Sequence, residues 1–202
     1  MTESWTALAW GIAALGWFVA LMLVLAWQRA RAGNGPDAPP PNGGIDPLSK
    51  LPDRVRFLDA TAREVNRSQR AGHPLSVLLI DAGQLRWFNQ HYGYDGGDRL
   101  LRHVSSACIG CVRDFDLIGR FSHKEFTVLL PDATLADARL AAARLEAAIT
   151  ANSITLKDGR VVPVTVTIGI ATLENETDTA DDLLIAADHA LTRVRSAQAA
   201  DA

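Results

Sequence analysis

The chain has 202 residues, enough for one domain of ordinary size with an anchor or tail. Apolar residues make up 48% and charged residues 21%, so a packed core can form and wholesale disorder is excluded. The formal net charge of -3 argues against a general nucleic-acid binder, which carries a basic face. A small anionic ligand is still compatible with it, because a few placed arginines suffice.

The first feature is an uncharged, Ala-, Leu-, Val- and Trp-rich run from Trp5 to Trp27. A helix needs about 20 apolar residues to cross a bilayer, and tryptophans favour its two interfaces. Glu3 precedes the run, and Arg29 and Arg31 follow it. Positive charge stays inside, so residues 5–27 are expected to be a signal anchor with the carboxyl-terminal part in the cytoplasm. A cleaved signal peptide would want a basic start and a shorter apolar core, and the chain opens Met1-Thr2-Glu3-Ser4 instead. Ala7 and Gly11 make a weak small-xxx-small pair for helix packing. Residues 28–45 are rich in Pro and Gly and read as a linker. The folded domain is expected over residues 46–198, with short tails at 1–4 and 199–202.

Within that domain, Val55, Leu58, Ala62 and Val65 give helical spacing to Asp53–Arg70. Leu75–Ile80 is a buried strand that ends at Asp81. Gln84–Tyr92 is a short helix, and Gly96-Gly97-Asp98 leads into a second one running to about Val112. Leu117–Phe121 and Phe126–Leu130 are strands around a polar turn. Leu135–Ala151 is an amphipathic helix. Lys157-Asp158-Gly159-Arg160 is a hairpin turn, since Asp-Gly supplies positive φ. Val164–Ala171 is a β-branched strand, and Thr179 caps a last helix to about Ser196. The order predicts an α/β fold: a central, mainly antiparallel sheet with helices packed on it. Cys108 and Cys111 form a C-x-x-C without a second pair, and read as helix residues rather than a redox or metal site.

Several strings, in order, resemble those of one known enzyme family. Asp46-Pro47-Leu48-Ser49-Lys50-Leu51-Pro52-Asp53-Arg54 is similar to the family's D-x-L-T-G-L-P-N-R. Leu78-Leu79-Ile80-Asp81 resembles the first strand with its metal-binding aspartate. Asn89, Tyr92-Gly93-Tyr94 and Gly97-Asp98 resemble N-D-x-Y-G-H-x-x-G-D. Val166-Thr167-Ile168-Gly169-Ile170-Ala171 resembles V-S-I-G-V-A, and Ala187-Asp188-His189-Ala190-Leu191 the start of the last helix. On these strings the chain resembles the GGDEF family of diguanylate cyclases, which condense two GTP into cyclic di-GMP. The resemblance implies the palm-like sandwich of nucleotidyl cyclases, here preceded by one transmembrane helix, and a place in a bacterial inner membrane.

The family signature falls in the turn between the two strands, where this chain reads Ser122-His123-Lys124-Glu125-Phe126. By resemblance an acid at the third position helps Asp81 hold two metal ions, because hard Mg²⁺ wants charged oxygens. Lys124 stands there, and Gly83 stands where a second aspartate usually follows. Each unit-charge product at about 4 Å and an effective dielectric of 20 is about 4 kcal/mol, so a cation in place of an anion opposes Mg²⁺. Asp81 and Glu125 are then candidate relics of catalysis, with Glu125 equally readable as a strand-edge charge. No cofactor is required, and Mg²⁺ is expected only if a GTP site remains.

By the same resemblance Asn89 and Asp98 match residues that hydrogen-bond guanine, and Arg86 and Arg195 match lysines that meet phosphate. Arg113-Asp114-Phe115-Asp116 matches the R-x-x-D inhibitory site that holds cyclic di-GMP. Glu146 stands where a supporting arginine is expected on the long helix. The expected function is a catalytically inactive, membrane-anchored receptor for cyclic di-GMP at Arg113 and Asp116. The alternatives are a nucleotide-independent scaffold for a membrane complex, and an active or weakly active cyclase. Expected partners are cyclic di-GMP, GTP, the membrane through one helix, and a second copy or a membrane complex.

Overall fold

A computed structural model describes residues 43–156, 159–175 and 177–200. The apolar run 5–27, most of the linker and the last two residues lie outside the described residues. Among the described residues, no helix is long and apolar enough to cross a membrane.

The elements are α1 (Arg54–Ala71), β1 (Leu75–Asp81), α2 (Leu85–Cys111), β2 (Leu117–Arg120), β3 (Glu125–Pro131), α3 (Leu135–Ala151), β4 (Ile154–Thr155), β5 (Val161–Val162), β6 (Thr167–Thr172) and α4 (Ala180–Ala200). Four strands form one sheet in the order β2-β3-β1-β6, and every pairing in it is antiparallel. The short β4 and β5 form a separate antiparallel pair.

All seven residues of β1 are buried, which explains its continuous apolar run. Its alternate side chains feed two cores. Leu78 and Ile80 pack with Phe88, Leu100, Val104, Leu145 and Ile149 under α2 and α3. Leu75, Val77 and Leu79 pack with Phe57, Val65, Leu184 and Leu191 under α1 and α4. Each such side chain contributes about 1.5–3 kcal/mol by leaving water. Covering both faces fixes β1 in the middle, and so fixes where Asp81 emerges.

Local chemistry sets the element ends. Asp53 caps α1 by accepting from the Arg56 N–H at 3.0 Å. Gly72, at φ 66°, closes it in the left-handed region. Thr134 and Asp137 form a reciprocal capping box at the start of α3. Thr179 and Asp182 exchange similar bonds at the start of α4.

The two expected helices, Gln84–Tyr92 and Gly96–Val112, are both present: α2 is two helical segments joined at a kink at Gly93, whose φ of 68° and ψ of -178° are not helical. Glycine tolerates that φ. One expectation changes. β6 begins at Thr167 rather than Val164: Val164 and Val166 turn into the core beneath α2 and α3, and the Thr165 N–H donates to Gln84 Oε1 at 2.9 Å.

Candidate functional site

The ends of three strands bring the signature region together. Asp81 is the last residue of β1 and lies opposite Glu125 of β3 on one side and Thr167 of β6 on the other. The 122–125 turn closes on itself through the Ser122 N–H to the Glu125 carbonyl at 3.2 Å and Ser122 Oγ to Glu125 Oε2 at 2.7 Å. The Ala82 N–H donates to the Lys124 carbonyl at 3.0 Å, which holds the turn against the exit of β1.

That exit is a four-charge cluster. The Asp81 carboxylate is 4% exposed. Lys124 Nζ lies 3.1 Å from Asp81 Oδ1 and donates to Oδ2 at 3.3 Å. The Arg195 guanidinium, from α4, pairs with Asp81 Oδ2 and lies 3.6 Å from Glu125 Oε1. Two acids therefore face two cations, and the formal charges cancel. The cluster is incompletely satisfied: Asp81 Oδ1 and Arg195 Nη2 are buried without a well-formed hydrogen bond. Arg195, expected by resemblance to meet phosphate, is turned to the two acids.

Beside the cluster lies a cavity of about 630 Å³ lined by Gly83, Arg86, Asn89, Gly93, His123 and Lys124, among others. Asn89 packs over Gly97, whose added Cβ would fall 1.9 Å from Asn89 Oδ1. This close approach is the reason for the glycine, and it holds the Asn89 amide at the cavity. Asp98 is not among the lining residues; it sits one turn from Arg102 on α2, at 3.4 Å.

The second cluster forms where α2 runs into β2. The Arg113 N–H donates to Asp116 Oδ2 at 2.8 Å, and the Asp116 N–H to the Arg113 carbonyl at 3.1 Å. This tight turn buries Asp116 and leaves Arg113 exposed, its guanidinium 5.7 Å from the Phe115 ring centroid. Both residues line a cavity of about 130 Å³ together with Asp137, Leu140, Ala141 and Arg144 of α3. Arg144 also donates to the Cys111 carbonyl at 3.0 Å. An arginine of the long helix does line this cavity, at 144. Glu146, the position read for it, points elsewhere, into a separate cavity with Arg139 and Val194. The signal was in the sequence: 137, 140, 141 and 144 fall on one helical face.

The family profile described as diguanylate cyclase, GGDEF domain, matches residues 44–200. The chain belongs to the GGDEF family. It is 33% identical over 152 residues to the response regulator PleD of Caulobacter vibrioides, covering 75% of this chain and 34% of that protein. It is 35% identical over 148 residues to the diguanylate cyclase TpbB of Pseudomonas aeruginosa, covering 72% and 34%. The chain thus spans about a third of the length of these curated relatives. The solved GGDEF domain of TpbB superposes with a TM-score of 0.70 at 34% identity, over 74% of this chain and 87% of that one. The GGDEF domain of DgcB from Caulobacter crescentus, in complex with c-di-GMP, superposes with a TM-score of 0.73 at 19% identity, over 76% and 90%, a likeness of fold alone.

This GGDEF domain has a donor set at Asp81 that does not fit Mg²⁺. The ion wants several oxygen ligands in a net anionic site. Here both acids are already turned to cations, and among the described residues no group of three or more acid, histidine or cysteine side chains is placed to hold a metal. A Cβ at Gly83 would lie 3.4 Å from Asp81 Oδ2, so a side chain has room there and the chain does not supply one. The two cysteines are free, and burial, with Cys111 adding to it, pushes the Cys108 thiol up to about 12. A thiol held so far from ionisation packs rather than reacts.

Proposed function

We propose that this GGDEF domain is catalytically inactive and acts as a cyclic di-GMP receptor, tethered to the inner membrane by residues 5–27 with the domain in the cytoplasm. The observation that carries this reading is the convergence of Arg113, Asp116 and Arg144 on one cavity. Two exposed guanidiniums can stack on guanine faces and fork onto its acceptors or onto phosphate, while an anchored carboxylate suits guanine N–H donors. A cavity of about 130 Å³ seats part of such a ligand, one base edge, with the remainder lying over the exposed arginines. The neutralised acids at Asp81 support the loss of turnover.

Calorimetric titration of cyclic di-GMP into the full chain tests the assignment. Binding is expected, with loss of at least about tenfold in affinity in both Arg113→Ala and Arg144→Ala, since hydrogen bonds to charged groups contribute about 1.5–3 kcal/mol each. Equal binding by the parent and both variants removes the site. No binding at all favours the scaffold reading. Product formation from GTP and Mg²⁺, lost in Asp81→Ala, would restore the cyclase reading. Protease protection of the domain in closed inner-membrane vesicles tests the orientation.

A further inference from the structure

The cavity beside Asp81 has a charge arrangement opposite to the one a metal-dependent phosphate site needs. A site built from acids alone repels a polyphosphate until a divalent cation bridges the two. Here Lys124 and Arg195 already neutralise Asp81 and Glu125. Arg86, exposed at the cavity wall, then leaves the wall net positive.

We infer that Lys124 and Arg195 take the place of the divalent cation at Asp81, and that the adjoining cavity holds a polyphosphate group, as on a nucleoside triphosphate, without metal. This goes beyond the cyclic di-GMP reading and rests on different residues. Lys124 is placed to serve both neighbours. Its ammonium has three donors; it meets the Asp81 carboxylate at 3.1 Å while its side chain, 29% exposed, lines the cavity. Arg86 and Lys124 thus approach one space from two elements, the first turn of α2 and the turn before β3. The Gly93 kink and Gly83 keep backbone and not side chains on that wall. The space of about 630 Å³ is within the range of small-molecule sites.

The sign of the magnesium effect is the discriminating property. Magnesium complexed to the phosphates lowers their negative charge, and so weakens attraction to Lys124 and Arg86. An acidic site responds the other way.

The test is calorimetric titration of GTP and, separately, inorganic tripolyphosphate into the full chain, once in EDTA and once in excess Mg²⁺. Both probes are expected to bind in EDTA, and Mg²⁺ to leave affinity unchanged or lower. Lys124→Glu is expected to lose about tenfold or more of the metal-free affinity, from the reversed charge, and to regain it with Mg²⁺. Arg86→Ala, which leaves the buried cluster intact, is expected to lose affinity for both probes in EDTA and to lose less of it in Mg²⁺. Binding by the parent that requires Mg²⁺ overturns the inference. So does failure of both probes to bind in EDTA, or unchanged metal-free binding in Arg86→Ala. Cyclic di-GMP titration of the same variants reads the Arg113 site separately, so failure of one site leaves the other measured.

Discussion

Lys50 and Asp46 show how single residues of the opening turn hold the site in place. Lys50 stands where the family string carries glycine, and its φ of 61° is left-handed. A residue with a Cβ pays about 1–2 kcal/mol there. Lys50→Gly is therefore expected to stabilise the domain by about 0.5–1 kcal/mol, after the added freedom of the unfolded chain is counted. Urea unfolding measures it, and an unchanged midpoint would show the strain to be relieved in solution. Asp46 accepts from the Ser49 N–H and Oγ, both at 2.7 Å, and from Arg120 Nη1 at 2.8 Å. Burial works to raise its carboxyl, but those hydrogen bonds and the Arg120 charge outweigh it and hold the group below the model-compound value of 3.8. A lowered folded value means the stabilisation is fully present above pH 3.8 and is lost as pH falls through the folded value. Asp46→Asn is expected to lower stability near neutrality and to flatten its fall as the pH drops below the ordinary carboxylate range. Arg120 also donates to the His123 carbonyl at 2.9 Å, so this acid-sensitive pair connects the entry of the domain to the signature turn.

At the scale of elements, the docking of α4 on β6 decides whether Arg195 reaches Asp81. A Cβ at Gly169 would meet the Ala187 carbonyl at 2.3 Å and the Leu191 N–H nitrogen at 2.5 Å, both backbone atoms of α4. Neither can swing aside. Gly169→Ala is expected to cost about 2 kcal/mol by forcing helix and strand apart. It should also weaken the Arg195–Asp81 pair, which near-neutral thermal melts of Gly169→Ala and Gly169→Ala/Arg195→Ala would detect as non-additive losses. Gly119 plays the matching role under α1, where an added Cβ would meet Phe57 side-chain atoms at 2.8 Å. The glycine of the β6 string is thus a packing requirement between elements.

For the molecule as a whole, the two clusters lie on different elements and should respond to different ligands. If the Arg113 site binds as proposed, cyclic di-GMP at about 100 times its dissociation constant is expected to add about 2.7 kcal/mol to the folded state. For a domain of this size that raises Tm by about 5–10 °C. Mg²⁺ alone is expected to leave Tm unmoved, because the acids at Asp81 are already paired. A rise with Mg²⁺ alone would show that the ion displaces Lys124. Differential scanning calorimetry of the full chain reads both effects.

The sequence by itself determined the family, the element order, the buried β1 with Asp81 at its exit, and the lysine in the signature turn. These follow from local patterns: an apolar run long enough for one buried strand, capping residues at fixed offsets, and strings at fixed spacing. The tertiary structure alone decided which charges meet. Asp81 and Arg195 are far apart in the chain, and only the antiparallel register and the close approach at Gly169 set them side by side. That Arg195 meets the acids is visible only for that reason. Arg144 became visible beside Arg113 in the same way, since a helical face is periodic in sequence but the partner it faces is chosen by packing. Burial of the Asp81 carboxylate then gives its pairing weight, by removing the water that would otherwise screen it.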